Sequence, residues 1–522
     1  MKALAEVIDG HAQSSPHAPA FLGREELTWA QYAARSDRLA AALVQRGLVR
    51  GDRVGVLLPD GPGVHIAFVG AEKAGLTVVG IGPRAGPDEL RHLLRLTEAR
   101  ALISRAVHRD LDLVAFVAEL GGQGLPLRHH LVVQAELEEG DSLFTDTAGT
   151  VDMADTPAGG PLSTDDVFLL NSTSGTTGMP KCVIHDQRRW NCFHELAVEA
   201  GELRHSDVFL SAIPAPFGFG IWTSHFTPTL LGAPTVLLPQ FSADALIDQI
   251  DRHRVTVLAA VSTQFIMMLN SPALARHAVS SLRVLFTGGE AVPAERAAEF
   301  EDRTGARVLQ FYGSNETGAL SRTTTRDSRQ ARLGTAGRVI DGMRVRLFDE
   351  NGGDVTALGR GQPGCRGPLT SRGYWGDDDA NAKLHTSDGW MLTGDIATLD
   401  SDGYLRVVGR TDDFIIRGGK NVSGPAVEES VSSHAAVALA AAVAMPDPVF
   451  GERVCVYVEL RPGHQLTLDE LVAHLQSRGV SPESFPERLV VVDTLPRSSG
   501  GKVAKQALRE DIADRIAKEK KQ

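Results

Sequence analysis

Between the apolar runs Val167–Leu170 and Cys182-Val183-Ile184 the chain inserts Asn171-Ser172-Thr173-Ser174-Gly175-Thr176-Thr177-Gly178-Met179-Pro180-Lys181. The flanking runs read as strands, so the polar stretch leaves one strand end and returns at once into another. Glycines there let backbone N–H groups turn toward a ligand, and Ser and Thr hydroxyls add donors, which together can wrap a phosphate. Lys181 adds a mobile positive charge. The order differs from Walker A, which ends in Gly-Lys-Ser/Thr. A flexible Ser/Thr/Gly linker has the same composition, but a linker need not re-enter an apolar strand.

The rest of the chain has room to serve such a loop. Its 522 residues correspond to roughly three or four domains. Hydrophobic residues at 43% and charged residues at 23% are the balance of a soluble globular protein. A net charge of −12 argues against a general polyanion binder, and no nucleic-acid motif is present. Residues Met1–Asp9 read as an amphipathic helix carrying acids, not a signal peptide. The longest apolar candidate, Ala435–Met445, is too short to span a bilayer. Cys182, Cys192, Cys365 and Cys455 lie far apart without CxxC spacing and read as reduced, structural thiols. These features predict a soluble, cytoplasmic protein without a membrane span.

Apolar runs alternate with helical patterns over two stretches. In the first, strands are expected at Val54–Leu58 and Val78–Ile81, with helices at Thr28–Arg46, Val64–Ala74 and Pro87–Thr97. In the second, strands are expected at Val208–Ile213, Pro234–Leu238, Val255–Ala260, Val284–Thr287 and Arg307–Gln310, with helices at Ala243–Arg252 and Ala294–Thr304. This alternation predicts βαβ units and parallel sheets. After residue 335 Gly and Pro become frequent and alternating runs such as Met343–Phe348 predict antiparallel strands. A last unit from about 411 pairs the runs Val437–Val443 and Val454–Leu460 with helices at Val427–Ser433 and Leu468–Arg478. Residues 138–164 read as an acidic surface loop; Gly140-Asp141-Ser142-Leu143 inside it mimics a carrier-protein or hydrolase serine but lacks the surroundings of either.

Several further blocks follow strand ends. Phe311-Tyr312-Gly313-Ser314-Asn315-Glu316 offers a ring that can stack on a purine and a carboxylate that can hold Mg²⁺ against phosphates. Thr287-Gly288-Gly289-Glu290 has paired glycines that permit close approach of a ligand. Thr393-Gly394-Asp395 presents a carboxylate, the natural acceptor for two neighbouring hydroxyls. Gly409-Arg410-Thr411-Asp412-Asp413, Arg417-Gly418-Gly419-Lys420-Asn421 and Leu495-Pro496-Arg497-Ser498-Ser499-Gly500-Gly501-Lys502 complete the set. Taken singly, each reads as an ordinary turn, and Lys502 as a solvated tail lysine.

Taken in order, these blocks between Thr173 and Lys502 resemble the acyl-adenylate-forming superfamily of acyl-CoA synthetases, peptide-synthetase adenylation domains and luciferases. The resemblance spans nearly the whole chain. It implies an α/β fold: a large N-terminal domain (1–410) of two doubly wound α/β subdomains plus a distorted antiparallel β-barrel, and a small mobile α+β C-terminal domain (411–522), hinged at Asp412. It implies that Thr173, Ser174, Gly175, Thr176, Thr177, Gly178 and Lys181 hold the phosphates of ATP, and that Gly289, Glu290, Phe311, Tyr312, Gly313 and Asn315 surround the nucleotide. Asp395 and Arg410 would contact ribose, and Thr173 and Glu316 would hold Mg²⁺. Phe217, Phe219, Trp222, Val261 and Gly288 would line the acyl pocket, with Trp190 near it. Gly418, Gly419 and Lys420 would form the thiol-acceptor loop, and Lys502, with Glu316, would be catalytic.

There are departures. Cys182 stands where the family has glycine, Asn315 where it has Thr, and Gly424-Pro425-Ala426 shifts a proline and drops a glutamate. Pro214-Ala215-Pro216-Phe217-Gly218-Phe219-Gly220 lacks the family's aromatic-His pair, so an apolar wall is expected to meet the acid. The implied reaction activates a carboxylic acid with ATP and Mg²⁺, releases pyrophosphate, and passes the acyl group to coenzyme A. The alternatives are transfer to an acyl carrier protein's phosphopantetheine and a non-enzymatic ATP-binding relative.

Overall fold

The computed structural model describes residues 2–133, the backbone of Phe144–Thr145, and residues 160–173, 179–410, 413–418, 420–498 and 501–519. The Gly140–Leu143 block therefore lies outside the described residues. The chain forms two compact units. The first takes Met1–Ala259, Asn315–Gly318 and Gly367–His385; the second takes Ala260–Ser314, Ala319–Arg366 and Thr386–Gln522.

In the first unit a seven-stranded sheet runs in the order Cys182–Asp186, Val167–Ser172, Thr77–Gly80, Arg53–Leu57, Ala101–Ser104, His129–Val133, Phe144–Thr145. The five inner strands are parallel and the two edge strands antiparallel. Thr77–Gly80 and Ala101–Ser104 are buried along their whole length, the pattern of a sheet covered on both faces. One face packs Leu57, Val79, Leu102, Leu170 and Cys182 against Leu90, Leu93 and Leu94 of the Pro87–Leu96 helix and Phe116 of the Leu113–Gly122 helix. Helix starts follow the local chemistry. Pro62 and Pro87 open helices where their missing N–H costs nothing. Thr28 and Gln31 close a reciprocal capping box on the Trp29–Gln45 helix. A second set in this unit orders Leu27–Thr28, Pro19–Gly23, Thr235–Leu237, Phe209–Ser211 and Val257–Ala259, with every pairing after the first parallel.

The second unit pairs Val284–Gly288 with Arg307–Ser314 in parallel. It also holds the antiparallel sheet expected beyond residue 335, in the order Arg344–Phe348, Arg360–Arg366, Asp395–Leu399, Leu405–Arg410, with Met391–Leu392 on the second strand. Among the described residues this path is open and no pairing closes it into a barrel. The C-terminal segment orders Lys420–Ser423, Phe414–Arg417, Gly451–Leu460 and Val437–Asp447, with Arg488–Val491 parallel to Gly451–Leu460. Val427, Val431, Leu471 and Leu475 of its helices pack on Val437, Val454, Val456 and Val458. Asn270 donates to Ala438 O at 3.1 Å, and Arg478 pairs with Glu295, so this segment is tied to the rest of its unit.

All four cysteines are free thiols. Among the described residues no helix is long and apolar enough to cross a membrane.

Candidate functional site

In the first unit the polar loop is a hairpin. Ser172 faces Cys182 across the antiparallel edge pair, Thr173 N–H donates to Lys181 O at 2.9 Å, and Lys181 N–H donates to Thr173 Oγ at 3.3 Å. The base of the loop is thus pinned at Thr173 and Lys181, while Ser174, Gly175, Thr176, Thr177 and Gly178 lie outside the described residues. Cys182, the departure from glycine, is fully buried on the core face and its carbonyl accepts from Trp375 N–H at 2.8 Å. The cysteine side chain is accommodated without breaking the strand.

Asn315 and Glu316 belong to the same unit. Glu316 accepts from the Tyr374 hydroxyl at 2.7 Å, and the Lys181 ammonium lies 5.0 Å from the centroid of the Tyr374 ring. Tyr374 was not singled out from sequence. Its local signal is a Gly-Tyr-Trp turn in a Gly/Pro-rich region, and Glu316 and Lys181, which its hydroxyl and ring meet, are 58 or more positions away. A Cβ at Gly220 would come 2.1 Å from Pro214 O and 2.7 Å from Ile213 O, so the Phe217–Gly220 turn needs glycine there, while one at Gly218 would displace the Asn315 side chain. Phe219 meets Trp222 edge-on at 5.3 Å, and Trp222 stacks on Phe193 at 6.0 Å. Trp190 stacks on Phe193 at 5.3 Å. Trp190 and Trp222 are buried, Phe217 and Phe219 half-buried. Trp190, Phe193, Phe219 and Trp222 thus form one aromatic cluster beside this turn. His225, one turn on, is buried against His65, with Nδ1 atoms 3.0 Å apart, and burial holds its pKa well below the ordinary value.

In the second unit Gly288 faces Phe311 across the parallel pair, and a Cβ at Gly288 would sit 2.2 Å from Phe311 O. Only glycine permits that approach. Phe311 packs edge-on to Phe286 at 5.7 Å. Glu290 accepts from Thr263 N–H at 2.8 Å, and burial pushes its pKa up, the Lys502 charge pulling it back. Val261 is buried at the N-cap of the Ser262–Asn270 helix. The Tyr312 hydroxyl donates to Asp395 at 2.8 Å, and Arg410 Nε stands 3.6 Å from the other Asp395 oxygen. Burial raises the Asp395 pKa, with Tyr312, Arg410 and Lys502 opposing it. Tyr312 is held well above its usual value, first by burial and then by the Asp395 charge. The Lys502 ammonium donates to Gly289 O at 2.5 Å. Gly289 has φ 78°, the left-handed turn that aims this carbonyl. One unit thus gathers Gly288–Glu290, Phe311–Gly313, Asp395, Arg410 and Lys502.

In the C-terminal segment Gly418 N–H donates to Phe450 O at 2.8 Å, and Lys420 pairs with Glu483 on the surface. Gly419 and Asp412 lie outside the described residues. The Gly424-Pro425-Ala426 departure makes an ordinary helix start. Ser423 caps Gly424–Ser432 by accepting from Ala426 N–H at 3.3 Å, with Pro425 in the first turn.

Among the described residues no cluster of three or more His, Cys, Asp or Glu could hold a metal by itself. Thr173 and Glu316, the two residues expected to hold Mg²⁺, would offer it one hydroxyl and one carboxylate oxygen, donors of the kind that ion takes alongside water and phosphate.

A family model described as AMP-binding enzyme matches residues 8–375, and one described as AMP-binding enzyme C-terminal domain matches residues 426–502. The feruloyl-CoA synthase of Amycolatopsis sp is 34% identical over 502 residues, covering 95% of this chain and 96% of that one. The 2,3-dihydroxybenzoate-AMP ligase of Bacillus subtilis (strain 168) is 31% identical over 498 residues, covering 95% and 90%. Among solved structures, an anthranilate CoA ligase in complex with anthranoyl-AMP shares the fold with a TM-score of 0.87 at 24% identity, covering 98% of both chains.

Proposed function

This chain belongs to the AMP-binding enzyme family, and from that premise we propose that it is an AMP-forming acid–thiol ligase: it joins a carboxylic acid to the α-phosphate of ATP, releases pyrophosphate, and passes the acyl group to the thiol of coenzyme A. The observation that carries this reading is the Lys502 ammonium seated on Gly289 O in the unit that also holds the Tyr312–Asp395 pair.

The chemistry asks a carboxylate to attack a phosphate, so two anions must meet. An ammonium between them offsets that repulsion and favours the charge that builds in the in-line transition state. Lys502, carried on a Gly/Ser segment, supplies it. Asp395 accepts from vicinal ribose hydroxyls, with Tyr312 and Arg410 fixing its two oxygens. Tyr312 also offers its ring to the adenine, and Gly288 and Gly289 leave room for it. Thr173 and Lys181 take the phosphate end, and Glu316 with Thr173 would hold Mg²⁺. When bound, that ion neutralises phosphate charge and steadies the pyrophosphate as it leaves. Exchanging hydroxide for AMP as the leaving group is what makes the later thiol attack feasible. The small C-terminal domain, turning about Asp412, would then present the Gly418–Lys420 loop to the thiol.

The acid itself is read as aryl-bearing. The residues assigned to the acyl wall, Phe217, Phe219 and Trp222, are aromatic, and relatives are named for feruloyl and dihydroxybenzoate substrates. One of those relatives is named for the adenylate step alone, which supports a second reading in which the acyl group passes to a carrier-protein thiol. Pyrophosphate release measured across aryl and aliphatic acids, with and without coenzyme A, tests both. Acid-dependent release with a coenzyme A thioester as product is the expected result. Release that depends on no acid would overturn the reading.

A further inference from the structure

We propose that Tyr374 is a positioning residue for the magnesium–triphosphate end of the site, orienting the Glu316 carboxylate with its hydroxyl and the Lys181 ammonium with its ring face. The inference rests on the adenylation reading above but is tested apart from it.

Both contacts are direct. The hydroxyl donates to Glu316 Oε1 at 2.7 Å. The Lys181 Nζ stands 5.0 Å from the ring centroid, inside the range over which a cation is attracted to an aromatic face. One side chain thus touches both groups that the adenylation reading assigns to metal and phosphate.

The backbone of Tyr374 is held from two sides. It bridges Val183 in antiparallel fashion, with Ile184 N–H donating to Gly373 O at 2.9 Å and Trp375 N–H to Cys182 O at 2.8 Å. Asn381 closes the other side: its Oδ1 accepts from Tyr374 N–H at 2.7 Å and its Nδ2 donates to Tyr374 O at 2.9 Å. The main chain of Glu316 is fixed as well, its carbonyl accepting from Ser371 N–H at 2.7 Å. With both main chains fixed, the hydroxyl selects which Glu316 oxygen is engaged and so the direction in which the carboxylate meets a metal. A ring packed on a strand edge for burial alone needs neither contact. Outer-shell partners of this kind set the affinity of the ligand they orient.

Two variants separate the hydroxyl from the ring. Tyr374→Phe removes only the donor, and Tyr374→Leu removes the ring face as well. Isothermal titration of ATP with and without Mg²⁺ reads binding, and pyrophosphate exchange against Mg²⁺ concentration reads function. For Tyr374→Phe the Mg²⁺ concentration at half-maximal exchange should rise about tenfold, with the KM for the acid, the melting temperature and Mg²⁺-free ATP binding unchanged. For Tyr374→Leu, Mg²⁺-free ATP binding should also weaken by about two- to fivefold as Lys181 loses its platform. In a Glu316→Gln background, Tyr374→Phe should add nothing, because the pair acts as one. A wild-type Mg²⁺ dependence in Tyr374→Phe overturns the proposal, as does a parallel fall in kcat, every affinity and melting temperature. If no acid supports exchange even in the parent protein, the adenylation reading fails, while Mg²⁺-dependent ATP binding still decides the role of Tyr374.

Discussion

Lys502 carries the sharpest consequence at the scale of single residues. Its contact with Gly289 O places an ammonium beside the Gly288–Glu290 turn. Lys502→Ala should slow acyl-adenylate formation by about 10²–10³-fold, the range for removing one preorganised charge stabiliser, while calorimetric ATP affinity changes little. Asp60 gives a pH-dependent prediction. It is buried, accepts from Ala215 N–H at 3.2 Å, and burial pushes its carboxyl up to about 7. The folded protein therefore binds a proton that the unfolded chain, with an ordinary aspartate near 4, releases. Stability contributed at this position is full below about pH 4 and falls as pH rises through about 7. Asp60→Asn keeps the acceptor oxygen and removes the charge, so thermal unfolding should show a gain in Tm at about pH 8 that shrinks toward about pH 5. Sequence reading singled out Lys502, Asp395, Tyr312 and Glu316 as candidates because each sits in a short ordered block. It did not reach Tyr374 or Asp60, whose significance comes from partners 58 and 155 positions away.

For whole elements, periodicity carried most of the information. Val54–Leu58, Val78–Ile81, Val284–Thr287 and the helices at Ala243–Arg252 and Ala294–Thr304 fall within a few residues of their observed bounds. Their patterns are strong and their ends carry turn residues. The alanine-rich run ending at Met445 is less self-evident, since alanine favours helix. It is nonetheless the long strand Val437–Asp447, because pairing along the whole of Gly451–Leu460 outweighs propensity. The aromatic wall is another element-scale feature that residue types alone did not build. It depends on a π-helical turn, Ile221–Phe226, and on two glycines packed against Asn315 and Pro214. Gly220→Ala should force Pro214 O aside, cost ~1–3 kcal/mol, and raise the KM for the acid more than that for ATP. Ser423→Ala, which strips the cap from the Gly424–Ser432 helix, should cost ~1 kcal/mol in thermal or denaturant unfolding.

At the scale of the whole molecule, compactness and sequence texture report different things. Texture predicts one break near residue 410, yet compactness assigns Asn315–Gly318 and Gly367–His385 to the unit begun at Met1. No local pattern announces that grouping: the Gly367–His385 segment joins it through the bridge from Tyr374 to Val183, far back in the chain. The proposed division of labour between Lys502 and the Lys420 loop is also a property of the whole chain. Lys420 opens the edge strand Lys420–Ser423, and its exposed side chain pairs with Glu483 on the surface. Lys420→Ala should leave pyrophosphate exchange intact and slow thioester formation severalfold, the reverse of the pattern expected for Lys502→Ala; single-turnover assays of each half-reaction would separate them.

The bridge from Tyr374 to Val183 has one more consequence, which concerns synthesis. The Cys182–Asp186 strand is the last in its sheet, and its outer side is covered by residues made nearly 190 positions later. At 5–20 residues per second a ribosome needs roughly 10–40 s to deliver that cover. During that interval the nascent chain carries a bare, sticky strand margin of the kind that recruits neighbouring polypeptides. A premature stop before the Gly373–Trp375 segment would leave that margin permanently open, so such fragments should partition to chaperones or inclusion bodies.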